Sequence, residues 1–257
     1  MTAMLAGRAA LVTGATSGIG AATVRELARC GAMVAVAGRD ARRGAALLAE
    51  LGLPSERAMF VPCDVRDREQ CDAAVVATVA RFGSIDILVN SAGINHRGDA
   101  LHTTDAQWLD VVAVNLNGVF WTCRAAIAAM RQAGRGGAIV NVASDWGLVG
   151  GANHAAYCAT KGAVVNLSRA LALDHARDRI RVNAICPGEV RTPMLESGLV
   201  HRGFDPEAGM AALGATIPIG RVSDPDEQAR CIRFLVSDDA SFVTGAALSV
   251  DGGATAH

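Results

Sequence analysis

Aromatic residues are scarce in this chain, and a single one of its 257 residues is a tyrosine, Tyr157. No Cys-x-x-Cys pair occurs, nor any Cys/His spacing that would ligate a metal, and the seven cysteines are odd in number. Reduced thiols in a cytoplasmic protein fit this usage better than a disulfide framework or a zinc site. Excess charge is absent too, since 24 Lys plus Arg balance 25 Asp plus Glu to a net −1. Such a chain has no basic field for phosphodiester backbones or anionic lipid, so nucleic acid and membrane are not expected partners. No stretch reads as the roughly 20 consecutive apolar residues that span a bilayer. Residues 1–24 carry only Arg8 as a charge and superficially resemble a signal peptide, but Gly14, Gly18 and Gly20 would break its helix.

What is present is a chain with 51% apolar and 19% charged residues, which excludes disorder. Its length fits one large α/β domain or two small ones. Short aliphatic runs recur at 9–12, 33–37, 59–61, 85–89, 138–142, 180–185 and 247–250. Most lack polar alternation, as expected of strands buried on both faces. Helical spacing fills 18–30, 40–51, 67–82, 105–132, 155–176 and 225–236. The alternation predicts an α/β fold: about seven parallel strands with helices on both faces. With no linker or repeat in the sequence, residues 1–257 read as a single domain. Residues 187–217 are too long for an ordinary connection and are expected to form a lid with one or two short helices.

After the first strand run comes Thr13-Gly14-Ala15-Thr16-Ser17-Gly18-Ile19-Gly20, followed at once by a helix. Glycines there let the backbone approach a pyrophosphate, whose charge the helix N-terminus stabilises. The spacing G-x-x-x-G-x-G departs from the commoner G-x-G-x-x-G of Rossmann sites, and glycines that merely make a turn are the competing explanation. The second strand run ends in Gly38-Arg39-Asp40. A guanidinium suits a 2′-phosphate and a carboxylate would repel it, so Arg39 favours NADP(H), with NAD(H) possible. Arg39 as a solvated charge and Asp40 as a helix N-cap are the plainer roles.

A strand at 137–143 ends in Ser144, and thirteen residues later Tyr157-Cys158-Ala159-Thr160-Lys161 opens a helix. Tyr157 and Lys161 share a helix face at a spacing of four. A free phenol is ionised only about one time in a thousand at neutral pH. A nearby ammonium is expected to lower its pKa by about two to three units, roughly 3 to 4 kcal/mol, so that it exchanges protons with an alcohol or ketone. A serine hydroxyl at the strand end would hold the substrate oxygen. Y-x-x-x-K alone occurs by chance on exposed helices; with the serine and the glycine loop it is a constellation.

On these motifs the sequence resembles the short-chain dehydrogenase/reductases, over a span from Gly7 to about Gly253. The resemblance implies Tyr157 as general acid/base, Ser144 as the group positioning substrate oxygen, and Lys161 as binding the nicotinamide ribose and tuning Tyr157. It also implies a proton relay through Asn115, in Val114-Asn115-Leu116-Asn117-Gly118. Asp64, next to Val65, then looks like the adenine contact, with Asn90, Ala92 and Gly93 as the wall beside the riboses. Pro187-Gly188-Glu189-Val190-Arg191-Thr192 is similar to the segment that binds the carboxamide, through Val190 and Thr192. Two positions depart from the family's pattern: Ser91 replaces a second asparagine, and Ser17 occupies a place often basic in NADP-preferring members. A homotetramer packed through helices 105–132 and 155–176 is implied as well.

Positions that face substrate in the family are here Ile94, Asn95, His96, Arg97, Asp145, Trp146, Asn153, His154, Glu189, Met194 and Leu195. Their polarity predicts a small polar substrate such as a polyol, sugar or hydroxy acid, with Asn95, Trp146, His154 and Glu189 as contacts beside Ser144. Each has a plainer role: turn formation for Asn95, loop exposure for His154, core packing for Trp146, and pairing with Arg191 or Arg97 for Glu189. Cys158 is expected to point off the catalytic face and pack. The expected activity is interconversion of a secondary alcohol and a ketone with NADP(H). An NAD-dependent polyol or sugar dehydrogenase is the rival, and a non-catalytic dinucleotide sensor or structural subunit is the alternative of another class.

Overall fold

Residues 4–256 are described by a computed structural model. The apolar runs form β1 Ala9–Thr13, β2 Met33–Gly38, β3 Ala58–Pro62, β4 Ile87–Asn90, β5 Gly137–Val142, β6 Ile180–Pro187 and β7 Ala247–Val250. All pairings are parallel, in one sheet of order β3-β2-β1-β4-β5-β6-β7. The helices are α1 Gly18–Arg29, α2 Ala41–Leu51, α3 Arg68–Phe82, α4 Asp105–Val112, α5 Gly118–Ala133, α6 Ala155–His175, α7 Pro193–His201, α8 Pro206–Gly214 and α9 Pro225–Val236.

Side chains alternate across the sheet plane, so each strand feeds two cores. Leu11 lies opposite Ala35 and Leu88, Leu88 opposite Ile139, and Ile139 opposite Val182, making one transverse row. That row packs against Cys71 and Val75 of α3, Ile127 and Met130 of α5, and Val164 of α6. The neighbouring row, with Val12, Val36, Val89 and Val140, packs against Val24 and Leu27 of α1 and Ile232 and Leu235 of α9. Both faces are therefore covered, which explains the near absence of polar alternation in the sequence.

Strand order reverses at β1, whose neighbours are β2 and β4. Such a switch opens a crevice beyond the carboxyl ends of the strands, where α/β sheets bind ligands. The glycine loop after β1 lies at this point.

One helix differs from the sequence reading. The helix expected at 105–132 is a 29-residue helical run, Asp105–Ala133, interrupted by a π-helical turn at Ala113–Asn117. That run is long and apolar enough to cross a membrane by length and composition, with mean hydropathy 1.3 in its most apolar window. Half of the window is buried within the protein, the behaviour of a core helix. In the long connection after β6, α7 and α8 are the two short helices expected of a lid.

Candidate active site

The glycine loop is shaped by contacts that leave no room for side chains. Gly14 has φ 62° and Gly18 φ 51°, both left-handed. A Cβ on Gly14 would lie 2.6 Å from the Ala92 backbone, and one on Gly20 only 2.3 Å from the Gly14 carbonyl oxygen. The loop is thus pressed against the segment after β4, and α1 starts directly over the loop. Ser17 occupies the N-cap of α1 without making a side-chain cap, whereas Asp40 and Asp67 cap α2 and α3. The first amides of α1 are left to an anion such as a pyrophosphate. The residues present therefore fit a dinucleotide. Gly20→Ala is expected to weaken NADPH binding at least about tenfold in a fluorescence titration, because the backbone must shift.

Other expected cofactor residues follow the carboxyl ends of β2, β3 and β6. A Cβ on Gly38 would meet Thr16 at 2.9 Å, so the end of β2 abuts the loop and Arg39 follows it. Arg39 is exposed, while Asp40 is occupied as the N-cap of α2, accepting from the Arg42 and Arg43 amides at 3.0 and 3.1 Å. The Asp64 carboxylate is gripped by Arg66 at 2.6 Å, which holds it below its ordinary value. Val65 is buried, in close contact with Gly118. The start of α7 reaches the loop: a Cβ on Gly18 would lie 3.1 Å from Thr192, whose hydroxyl accepts from the Leu195 amide. Pro187 ends β6, Gly188 packs beside Asp251, and Val190 bridges to Ser223.

Asn90 differs from the expectation of a ribose wall. Its side chain donates to Asn141 Oδ1 at 2.9 Å and accepts from Thr122 at 2.7 Å, inside the core. Asn141 in turn donates to Ser168 at 2.9 Å. This buried chain of amides and hydroxyls ties β4, β5, α5 and α6 together beneath the crevice.

Ser144, Tyr157, Lys161 and Asn115 converge at the ends of β4 and β5. Asn115 lies in the π-helical turn, fully buried. π-turns are frequent at functional sites because the extra residue displaces a side chain from its regular helical position. Asn115 accepts from the Ile94 amide and donates to the Ile94 carbonyl, both at 2.9 Å, and donates to Thr160 at 3.3 Å. It thereby pins the strand-end segment to α6. A Cβ on Gly93 would lie 3.5 Å from Asn115 Oδ1 and 3.6 Å from Lys161 Nζ, placing both groups under one glycine.

Lys161 is 4% exposed and donates to the Val142 carbonyl at 2.8 Å. Burial lowers its amine to about 8. Its Nζ stands 5.5 Å from the centre of the Tyr157 ring. Tyr157 meets Trp146 edge-on, ring centres 6.1 Å apart. The direction expected for its phenol is reversed: burial pushes it above the ordinary tyrosine value. Ser144 opposes this, but the nearby Asp145 and Glu189 reinforce it. Ser144 itself donates to Asp145 Oδ1 at 2.8 Å and accepts from the Trp146 amide at 3.2 Å.

Beside these groups is a cavity of about 400 Å³ lined by Asp145, Trp146, Glu189, Leu213, Thr216, Ile217, Pro218 and Ala254. Trp146 and Glu189 of the expected substrate contacts line it. Asn95 is exposed in its loop and is not part of this wall. His154 is buried behind it, its ring centre 4.3 Å from that of Trp146 and its Nδ1 2.8 Å from the Ala152 carbonyl. Burial holds this imidazole below its ordinary value. Cys158 receives the Gly151 amide at 3.2 Å, a packing role in the same turn. Sequence reading missed Leu213, Thr216, Ile217, Pro218 and Ala254 as cavity residues; they carry no chemical signature and meet only through the placement of α8, the segment after it and the C-terminal segment.

The family model described as enoyl-(acyl carrier protein) reductase matches residues 14–255. Cis-4-hydroxycyclohexanecarboxylate dehydrogenase of Sinomonas cyclohexanicum is 45% identical over 97% of both chains. D-threitol dehydrogenase of Mycolicibacterium smegmatis is 43% identical over 98% of this chain and 94% of its own. A crystal structure of an actinorhodin polyketide ketoreductase variant with NADPH covers 100% of both chains at 39% identity and TM-score 0.93. The chain belongs to the short-chain dehydrogenase/reductase family and is a nicotinamide-dependent enzyme of the alcohol dehydrogenase class.

Proposed function

We propose that this enzyme interconverts a secondary alcohol and a ketone on a small polar substrate, using NADP(H). The observation that carries this reading is the convergence of Ser144, Tyr157 and Lys161 beside a polar-lined cavity, across the sheet end from the glycine loop. When bound, the nicotinamide supplies or accepts the hydride at the carbinol carbon. In reduction Tyr157 gives its proton to the oxygen as charge develops on it, and in oxidation it takes that proton back. Ser144 orients the same oxygen after its hydroxyl turns from Asp145 toward the cavity. Lys161 stabilises the phenolate, and Asn115 holds the Ile94 backbone and Thr160 at the mouth of a proton path. Trp146, with His154 packed behind it, closes the wall against water.

The preference for NADP(H) rests on Arg39, exposed at the end of β2 beside the glycine loop, with Asp40 committed to its helix cap. Arg39→Ala is expected to weaken NADPH binding about tenfold or more and leave NADH within about twofold, since a guanidinium–phosphate contact is worth about 1.5–3 kcal/mol. Equal losses for both dinucleotides would remove Arg39 from the phosphate. Initial rates across alcohols and ketones with both dinucleotides test the activity itself. In this reading the exposed Trp108, Leu109 and Phe120 of α4 and α5 support packing of these helices in a homotetramer.

A further inference from the structure

We infer that Asp145 and Glu189 select a neutral substrate bearing a second hydroxyl, a diol or polyol, against one bearing a carboxylate. This deepens the proposed function and rests on its placing of Ser144 and Tyr157 at the reacting oxygen.

Both carboxyls line the cavity beside the catalytic groups, and among the described residues no cationic side chain lines it with them. The cations that could neutralise them are engaged elsewhere. Arg191, two residues from Glu189, is drawn to Glu207 at 2.8 Å. Arg202 donates to the Gly198 carbonyl and lies over the Phe204 ring, 5.4 Å from its centre, and its charge reaches Glu189 without pairing with it, only partly opposing the effect of burial. Arg97 is exposed in its loop, and His154 is buried with its imidazole held toward the neutral form. Among the described residues the Glu189 carboxyl has no hydrogen-bond or ion-pair partner, while its own main chain is fixed by Ser223 on α9's approach. Asp145 is fixed as well, Oδ1 accepting from Ser144 and from the Trp146 amide, both at 2.8 Å.

A hydroxyl entering this wall finds acceptors that water would otherwise satisfy. A carboxylate finds two like charges in a partly dry space and no cation on the wall to pair with. Burial raises both carboxyls above their ordinary values, and Asp145 adds to the effect on Glu189, as expected of acids that share one pocket. A third negative group would compound that repulsion. Apart from Thr216, whose hydroxyl donates to the Leu213 carbonyl, the remainder of the wall, with Leu213, Ile217 and Pro218, is apolar and suits the carbon skeleton.

The test compares substrates that differ only in the distal group: cyclohexane-1,4-diol with 4-hydroxycyclohexanecarboxylate, and 1,3-butanediol with 3-hydroxybutyrate. For the wild type, kcat/KM is expected to be at least about tenfold higher for the neutral member of each pair. Glu189→Gln and Asp145→Asn are expected to narrow that ratio at least about threefold, mainly through KM, with NADPH affinity unchanged as the control for folding. A wild-type ratio near one, a preference for the carboxylate, or a ratio unmoved in both variants overturns the inference. Turnover of 2-butanol without turnover of either diol also overturns it, leaving the proposed function intact. No turnover of any alcohol or ketone with either dinucleotide overturns the proposed function beneath it.

Discussion

Tyr157→Phe is expected to lower turnover at least about a thousandfold while leaving NADPH affinity within about twofold. The substitution removes one oxygen and keeps the ring, so the edge-on contact with Trp146 and the shelf over Lys161 survive. A positioned general acid contributes about a hundredfold to ten-thousandfold, and the upper part of that range applies where water does not reach the reacting oxygen. The phenol's own environment sharpens the expectation. Burial and the neighbouring carboxyls hold it above the ordinary tyrosine value, so before the dinucleotide is bound it stays protonated through neutral pH. Ketone reduction uses that protonated form and is expected to persist to alkaline pH. Alcohol oxidation needs the phenolate and is expected to rise with pH across the alkaline range. Because Tyr157 is the only tyrosine in the chain, the tyrosinate absorbance change in a pH titration belongs to it alone and disappears in the variant. Turnover within about tenfold of wild type would remove Tyr157 from the proton path.

The difference between the expected and the observed phenol shows where the sequence stops being informative. Tyr157 and Lys161 are placed on one helix face by a spacing that can be counted in the sequence. Whether the cation outweighs desolvation depends on what surrounds the ring, and that includes Asp145 and Glu189, 12 residues before it and 32 after it in the chain. Lys161 also directs its amine at the Val142 carbonyl, a strand-end group that no motif marks. The seven strands were legible because burial on both faces removes polar alternation, and the glycine loop because its turns tolerate no side chain. The π-helical turn was not: Ala113–Asn117 continues an ordinary helical pattern, and the residue inserted there is revealed only by the hydrogen-bond register. Glu189 illustrates the same limit for charges. Arg191 is the nearer partner in sequence, yet α8 brings Glu207 to it and leaves Glu189 facing the cavity. Asn90 ends a strand as expected, but alternation turns its amide into the core.

Lys161→Met is expected to lower turnover at least about a hundredfold and, at pH 7, to leave the protein as stable as wild type or more so. The ammonium is removed from the phenol, which accounts for the loss of rate. The stability follows from the same burial that makes the amine useful. Lys161 is lowered from 10.5 to about 8 by desolvation, with one carbonyl as its hydrogen-bond partner. A tenfold change in proton affinity corresponds to about 1.4 kcal/mol, so the folded state forgoes about 3 kcal/mol at neutral pH by holding this charge. Methionine is a flexible, unbranched chain that fills the same channel, and the orphaned Val142 carbonyl returns about 1–2 kcal/mol of that gain. The sign of the pH dependence separates this from a generic effect of mutation. Between about 8 and 10.5 the unfolded chain holds the Lys161 proton and the folded chain has released it. The unfolded state binds more protons there, so wild-type stability gains on the variant as pH rises through that window. Urea unfolding of both proteins at pH 7 and pH 10 measures the change. A variant less stable than wild type by more than about 2 kcal/mol at pH 7, with the difference unchanged at pH 10, would mean that the ammonium is not desolvated in the folded protein. If wild type gains on the variant between pH 7 and pH 10 as expected, the cation beside Tyr157 is held at the expense of stability, which is how a residue kept for its charge differs from one kept for packing.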